Sequence, residues 1–225
     1  MFDAAPLTIS PSPRSSGLRP PALPVDVPAA NPLTARCGPT ATFVPGAEIY
    51  AEGDRAGALY QVAFGVVRVY RLLADGRRQI CAFHMAGDIF GFEGGTLRHF
   101  FADAVNLVGL RSLRQGSETD LSHELLKLAL QSLNQAHDHL LTVGRNDAAG
   151  RVAAFLLEIA ERQESRASDT ISLPMSRNDI ADYLGLTIET VSRVLTKLKD
   201  ARIIRLASAR ELEVLRWEAL EDMTG

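Results

Sequence analysis

Met175-Ser-Arg-Asn-Asp-Ile-Ala-Asp-Tyr-Leu-Gly-Leu-Thr-Ile-Glu-Thr-Val-Ser-Arg-Val-Leu-Thr-Lys-Leu-Lys199 reads as a short helix, a glycine turn and a longer helix. Ser176 and Asp179 have the S-x-x-D spacing of a helix start, in which side chain and backbone cap each other. Ile180, Ala181 and Leu184 then put apolar groups on one side. Gly185 ends that helix, because glycine enters the left-handed conformation without steric cost. Thr187 is placed to cap the next one. Val191, Val194, Leu195 and Leu198 follow at i, i+3, i+4 and i+7, the spacing of a buried stripe. This order predicts a helix-turn-helix.

The face opposite that stripe carries Glu189, Ser192, Arg193, Thr196 and Lys197. The N-terminal part of such a helix enters the major groove. An arginine fork matches the O6 and N7 acceptors of guanine, and a carboxylate accepts from the cytosine N4 amine. Glu189, Ser192 and Arg193 are therefore the expected base-reading residues. Ser176, Arg177, Thr187 and Thr190 are expected at DNA phosphates, with Thr196, Lys197 and Arg210 beside them. In isolation, a Glu–Arg pair four residues apart would be an ordinary solvated pair worth a few tenths of a kcal/mol, about 0.2–0.5. The capped helix and glycine turn before it favour the DNA reading.

Glu189-Thr-Val-Ser-Arg193 has the E-x-x-S-R form and resembles the recognition helix of the CRP/FNR transcription regulators. The longer stretch Asp179-Ile-x-x-Tyr-Leu-Gly-Leu-Thr-x-Glu-Thr-Val-Ser-Arg193 is most similar to the FNR and FixK branches. The resemblance spans about 40–222. It implies a homodimer that binds double-stranded DNA at a TTGA-type half-site and its inverted repeat. It also implies activation of microoxic-respiration, denitrification or nitrogen-fixation genes through RNA polymerase, with no effector bound. The FNR branch carries an N-terminal cysteine cluster for an iron–sulfur centre, and such clusters usually take four thiolates. The chain has only Cys37 and Cys81, which points to the FixK-like branch.

The chain has 225 residues, 46% of them hydrophobic, enough for one large or two ordinary domains. It has no apolar run of about 18 residues, so no membrane span is expected. With no basic-then-apolar start either, and two cysteines, a reduced cytoplasmic setting is expected. Net charge is −3, but six basic residues lie between Arg193 and Arg210 against Asp200 alone. A local basic stripe suits a docking face.

The fold class expected is α+β, with a cyclic-nucleotide-binding-like β-roll, a long dimerisation helix and a C-terminal winged helix-turn-helix. The boundaries expected are a disordered tail at 1–39, the roll at 40–119, the helix at 120–145 and the DNA-binding domain at 146–225. The tail holds nine of the eleven prolines and lacks the apolar periodicity of a packed segment. From Phe43 on, short β-rich runs alternate with glycine turns about every ten residues. Asp75-Gly76 predicts a type I′ hairpin turn between arms at 66–73 and 78–85. The family's nucleotide pocket pairs a G-E motif with R-[ST]-A; here Gly91-Phe-Glu-Gly-Gly-Thr96 keeps part of the first. The second reads Phe100-Phe101-Ala102, with Arg98 out of register. A buried phosphate would lose its arginine fork, so no cyclic AMP is expected, and Phe100 or Phe101 is expected to fill the space. The rival reading is a haem or small ligand in the roll that operates the same regulator.

Leu126, Leu130, Leu133, His137 and Leu140 alternate by four and three, a heptad seam expected to form the dimer interface. Gly144-Arg-Asn-Asp147 breaks it as a hinge, with Asp147 capping a helix at about 148–163. Segments 203–206 and 212–215 predict the wing, and Trp217 to Leu220 a last short helix. His84, His99, and His137 with His139 lack a metal-ligand pattern, and no nucleophile elbow or P-loop stands out. No cofactor, metal or catalytic residue is expected.

Overall fold

The computed structural model describes residues 37–113 and 119–224. The segment expected to be disordered falls outside them as far as residue 36. The roll is two four-stranded antiparallel sheets. One has the order β1 (Cys37–Phe43), β8 (Val108–Leu113), β3 (Leu59–Phe64), β6 (Ile89–Phe90). The other has the order β2 (Glu48–Tyr50), β7 (Phe101–Ala104), β4 (Val67–Leu72), β5 (Arg78–His84). Alternating side chains meet between them, with Tyr50, Val62, Val67, Val69, Phe90 and Leu110 buried. Strand β1 starts before residue 40, the expected edge of the roll, since Cys37 pairs with Leu113. Pro39 is tolerated there because β1 is an edge strand, and the register shifts between Cys37 and Thr40.

The β4–β5 hairpin forms where Asp75-Gly76 placed it, but its turn differs from type I′. Gly76 has φ +81°, whereas Asp75 is not left-handed. Gly76 donates to the Leu73 carbonyl at 2.9 Å and Leu73 to the Arg77 carbonyl at 2.8 Å. This closes a three-residue loop with a glycine bulge. The Asp75 carboxylate accepts from the Arg77 amide at 3.0 Å and fixes the turn.

Helix α1 (Thr119–Val143) leaves the roll with two apolar faces. Leu125 and Leu128 pack on Ile89 and Leu113. Leu126, Leu130, Leu133, Leu140 and Leu141 are exposed, the last two at 66% and 70%. Asp147 caps α2 (Ala148–Arg162), accepting from the Gly150 amide at 3.0 Å. Then come β9 (Thr170–Ser172), α3 (Arg177–Leu184), α4 (Ile188–Asp200), β10 (Ile204–Leu206), β11 (Glu211–Val214) and α5 (Trp217–Asp222). The wing is a three-stranded sheet of order β10-β11-β9. Its third strand, only three residues long, is too short for a sequence pattern to show. Val152, Phe155 and Leu156 of α2 pack with Val191, Val194, Leu195 and Leu198 in one core. No described helix is long and apolar enough to cross a membrane.

Candidate DNA-reading surface

Helix α3 is capped as its sequence predicts. The Ser176 hydroxyl accepts from the Asp179 amide at 3.1 Å, and Asp179 accepts from the Ser176 amide at 3.1 Å. Gly185 closes the helix with φ +63°, and its amide donates back to the Ala181 carbonyl. Thr187 caps α4, accepting from the Thr190 amide at 3.3 Å. Ile180, Ala181 and Leu184 are buried, as is Tyr183, which the spacing had not singled out.

The buried stripe of α4 leaves Glu189, Ser192, Arg193, Thr196, Lys197 and Lys199 together on one exposed face. Among the described residues no ion pair joins Glu189 to Arg193; the Arg193 Nε donates to the Glu189 backbone carbonyl at 3.4 Å. Its own backbone amide and the Thr187 hydroxyl hold the Glu189 carboxyl below the usual carboxylate range, so it is a charged acceptor at neutral pH. Arg193 and Glu189 thus both point outward. Ile188, in the same turn, is 41% exposed; an apolar residue uncovered at the first helical position was not read as part of this face.

The expected phosphate contacts divide into two groups. Lys197 and Arg210 are exposed, Arg210 on the loop between β10 and β11. Several hydroxyls are already engaged: Ser176 donates to Asp179 at 2.7 Å, Thr190 shares a bond with Thr187 at 3.1 Å, and Thr196 donates to the Ser192 carbonyl at 2.9 Å. Arg177 is half-buried, burial lowers its pKa, and its Nη1 has no partner among the described residues. Arg205, on the same wing, pairs across the hairpin with Glu213.

Helix α3 is also held by the roll. Arg78 reaches Asp179 at 2.6 Å and Asp182 at 2.7 Å, and Arg68 reaches Asp179 and Asp103, each at 3.0 Å. Gln79 donates to the Asp182 carbonyl at 2.7 Å. Burial alone would raise the Asp179 carboxyl; bonds from Ser176 and the charges of Arg68 and Arg78 hold it below the usual range. No sequence pattern marks the pairs that reach α3, whose members lie 101 to 111 positions apart.

A cavity of about 200 Å³ lies where the roll meets α1, α2 and α3. Tyr50, His84, Phe90, Phe100, Gln135 and Tyr183 help line it. Phe100 helps line it, while Phe101 stacks on Tyr70 at 5.3 Å. Arg98 is 3% exposed and gives both terminal nitrogens to carbonyls, of Gly91 and Ala58, each at 2.6 Å. Its guanidinium lies 4.2 Å from the centre of the Tyr50 ring, so it is spent on the wall. Arg162 is likewise committed, to the Phe83 carbonyl and to Asp88. Burial pushes the Cys81 thiol up, away from reactivity. No described group of three or more His, Cys, Asp or Glu is arranged to hold a metal.

Residues 150–223 match the Crp-like helix-turn-helix domain, and residues 40–107 match the cyclic nucleotide-binding domain. The nitrogen fixation regulation protein FixK of Rhizobium meliloti is 50% identical over 183 residues, which span 81% of this chain and 86% of that one. FixK of Azorhizobium caulinodans is 44% identical over 190 residues, 80% and 77% of the two chains. Among solved structures, FixK2 from Bradyrhizobium japonicum superposes with a TM-score of 0.78 at 38% identity, covering 83% of this chain and 97% of that one. A CRP-family transcriptional regulator of Thermus thermophilus superposes with a TM-score of 0.72 at 26% identity, covering 82% and 96%.

Proposed function

The chain belongs to the CRP/FNR family of DNA-binding transcription regulators, in its FixK-like branch, and on that premise we propose that it acts as an effector-free homodimer on an inverted repeat of TTGA-type half-sites. One observation carries this reading: the uncovered face of α4, where Glu189, Ser192 and Arg193 stand together on a helix locked into the core by its other side. Arg193 pairs with the guanine, Glu189 accepts from the amine of the opposite strand, and Ser192 lies against a thymine. Lys197, Arg210 and Arg177 hold phosphates, with the backbone amides at the Thr187 cap. The exposed leucines of α1 pair with those of a second copy, since a soluble monomer rarely leaves such a stripe uncovered.

The protein works in the cytoplasm, without catalysis. It mainly activates transcription through RNA polymerase, at genes for microoxic respiration, denitrification or nitrogen fixation; the names of its FixK relatives support the last of these. Arg98 and Arg162 are both committed to protein acceptors, which supports regulation without cyclic AMP. The cavity favours one second reading, a small uncharged ligand seated there that tilts the DNA domain. Native mass spectrometry separates the two by a retained mass. Genome-wide footprinting tests the main reading: enrichment of a TTGA-type palindrome is expected, and the absence of any enriched palindrome refutes it.

A further inference from the structure

We infer that Arg78 and Arg68 of the roll are positioning residues for DNA reading, which hold α3, and α4 with it, in the DNA-competent pose through Asp179 and Asp182. The inference rests on the effector-free reading. A regulator with no ligand to select its competent state must populate that state through its own contacts.

The apolar part of this contact, Phe83 against Tyr183 with ring centres 5.2 Å apart, supplies adhesion but little direction. The ionic part is directional. Arg78 meets Asp182 through both Nε (2.9 Å) and Nη2 (2.7 Å), and the same Nη2 reaches Asp179 at 2.6 Å. A planar fork shared by carboxylates one turn apart fixes the angle of α3 against the β4–β5 hairpin. Arg68 braces Asp179 from the neighbouring strand and ties it to Asp103. Two arginines thus face three aspartates, with Asn178 completing the shell on Asp182 at 3.2 Å. Asp179 also closes the α3 capping box, so the helix start and the roll share one carboxylate. Partly buried pairs of this kind add little net stability, and orientation is what they supply. Arg78, Asn178 and Asp182 line one cleft with Thr187 and Thr190 at the start of α4. Among the described residues no hydrogen bond or ion pair from the roll reaches α4.

The test is a double-mutant cycle in the full-length protein: Arg78→Ala, Asp182→Ala, the pair, and Arg78→Lys. Affinity is measured for a TTGA-type palindrome and for a scrambled duplex. Each single alanine variant should lose about fivefold or more on the palindrome, the smallest usual size of such a coupling. The double variant should lose no more than the worse single one. Arg78→Lys, which keeps the charge without the fork, should fall between. Asp182→Ala is the telling arm: removing a negative charge near DNA should by itself strengthen binding. Trypsin cleavage after Arg145, in the linker between α1 and α2, should speed up in the single variants. Wild-type affinity in both single variants, losses that multiply in the double variant, or unchanged cleavage would overturn the inference. So would equal losses on both duplexes with a lowered thermal midpoint, which would leave the pairs a purely structural role. A wild-type protein that binds its palindrome only after a ligand is added would overturn the effector-free reading instead; the cleavage assay uses no DNA and still decides the clamp.

Discussion

Arg193 leans on its own helix, its Nε donating to the Glu189 carbonyl at 3.4 Å, and the residue is exposed. A guanidinium held this way loses less freedom on meeting a guanine than a free one would. Arg193→Ala should cost roughly ten- to a hundredfold in specific affinity and flatten the preference at the guanine, since a bidentate contact is worth about 1–3 kcal/mol. Lys197→Ala should weaken all sequences alike and lower the salt slope by about one unit. Competition binding with each base substituted in turn checks both; retained guanine preference in Arg193→Ala would make Arg193 a phosphate anchor. A second residue-scale consequence concerns pH. His84 stacks on Phe90 at 5.0 Å and His139 on Tyr183 at 3.9 Å, and burial pushes each down to about 4. A free imidazole titrates near 6.5, so between about 6.5 and 4 the unfolded chain binds more protons than the folded one. The stability present above pH 6.5 is therefore lost as pH falls towards 4, by up to about 1.4 kcal/mol per unit for each histidine. Urea midpoints at pH 7.5, 6.5 and 5.5 should fall in that order, and His139→Gln should flatten the slope. A midpoint independent of pH would show that these rings are not held neutral.

At the scale of elements, α1 divides its leucines between two partners. Leu125 and Leu128 face the roll, while Leu126, Leu130, Leu133 and Leu140 face solvent in the single chain. The heptad spacing picks out the second set, because a helix repeats its faces every three to four residues, while the roll-facing pair shows only in the packing. Leu133→Glu with Leu140→Glu should give monomers, since two carboxylates would be desolvated in the seam. Light scattering that still reports a dimer would remove the seam assignment. Local chemistry made other elements legible: the Ser176–Asp179 box, the Gly185 stop and the Asp147 cap each lie within four residues of what they cap. The hairpin was placed correctly, but its turn type was not legible. Asp-Gly serves both the two-residue loop and the three-residue loop with a bulge, and strand register decides between them. Strand β9 owes its existence to pairing with Glu211, Leu212 and Glu213 about forty positions later.

For the whole molecule, the same limit hid the grip of Arg68 and Arg78. On β4, Arg68 looks like any outward polar residue between Val67 and Val69, paired within the roll with Asp103, and only the docking of α3 brings it Asp179. The α3–α4 unit, by contrast, is one continuous stretch of chain, so spacing alone groups its exposed residues. Cyclic AMP should leave operator affinity unchanged, since the terminal nitrogens of Arg98 and Arg162 already serve protein acceptors with which a phosphate would have to compete. A titration giving a tenfold or larger gain would show that one of them can be released. Tyr183 is where the parts converge. From α3 its ring meets Phe83 of the roll, Phe155 of α2 and His139 of α1, and its hydroxyl donates to Glu158. That ring is a point the roll and all three helices share. In a two-fold dimer the symmetry axis mirrors every tilt about it, so the separation of the two reading heads changes by twice the travel of either one. An operator with fixed half-site spacing would then act as a gauge of how one tyrosine packs, and a side chain that touches no base would help set which spacings are read.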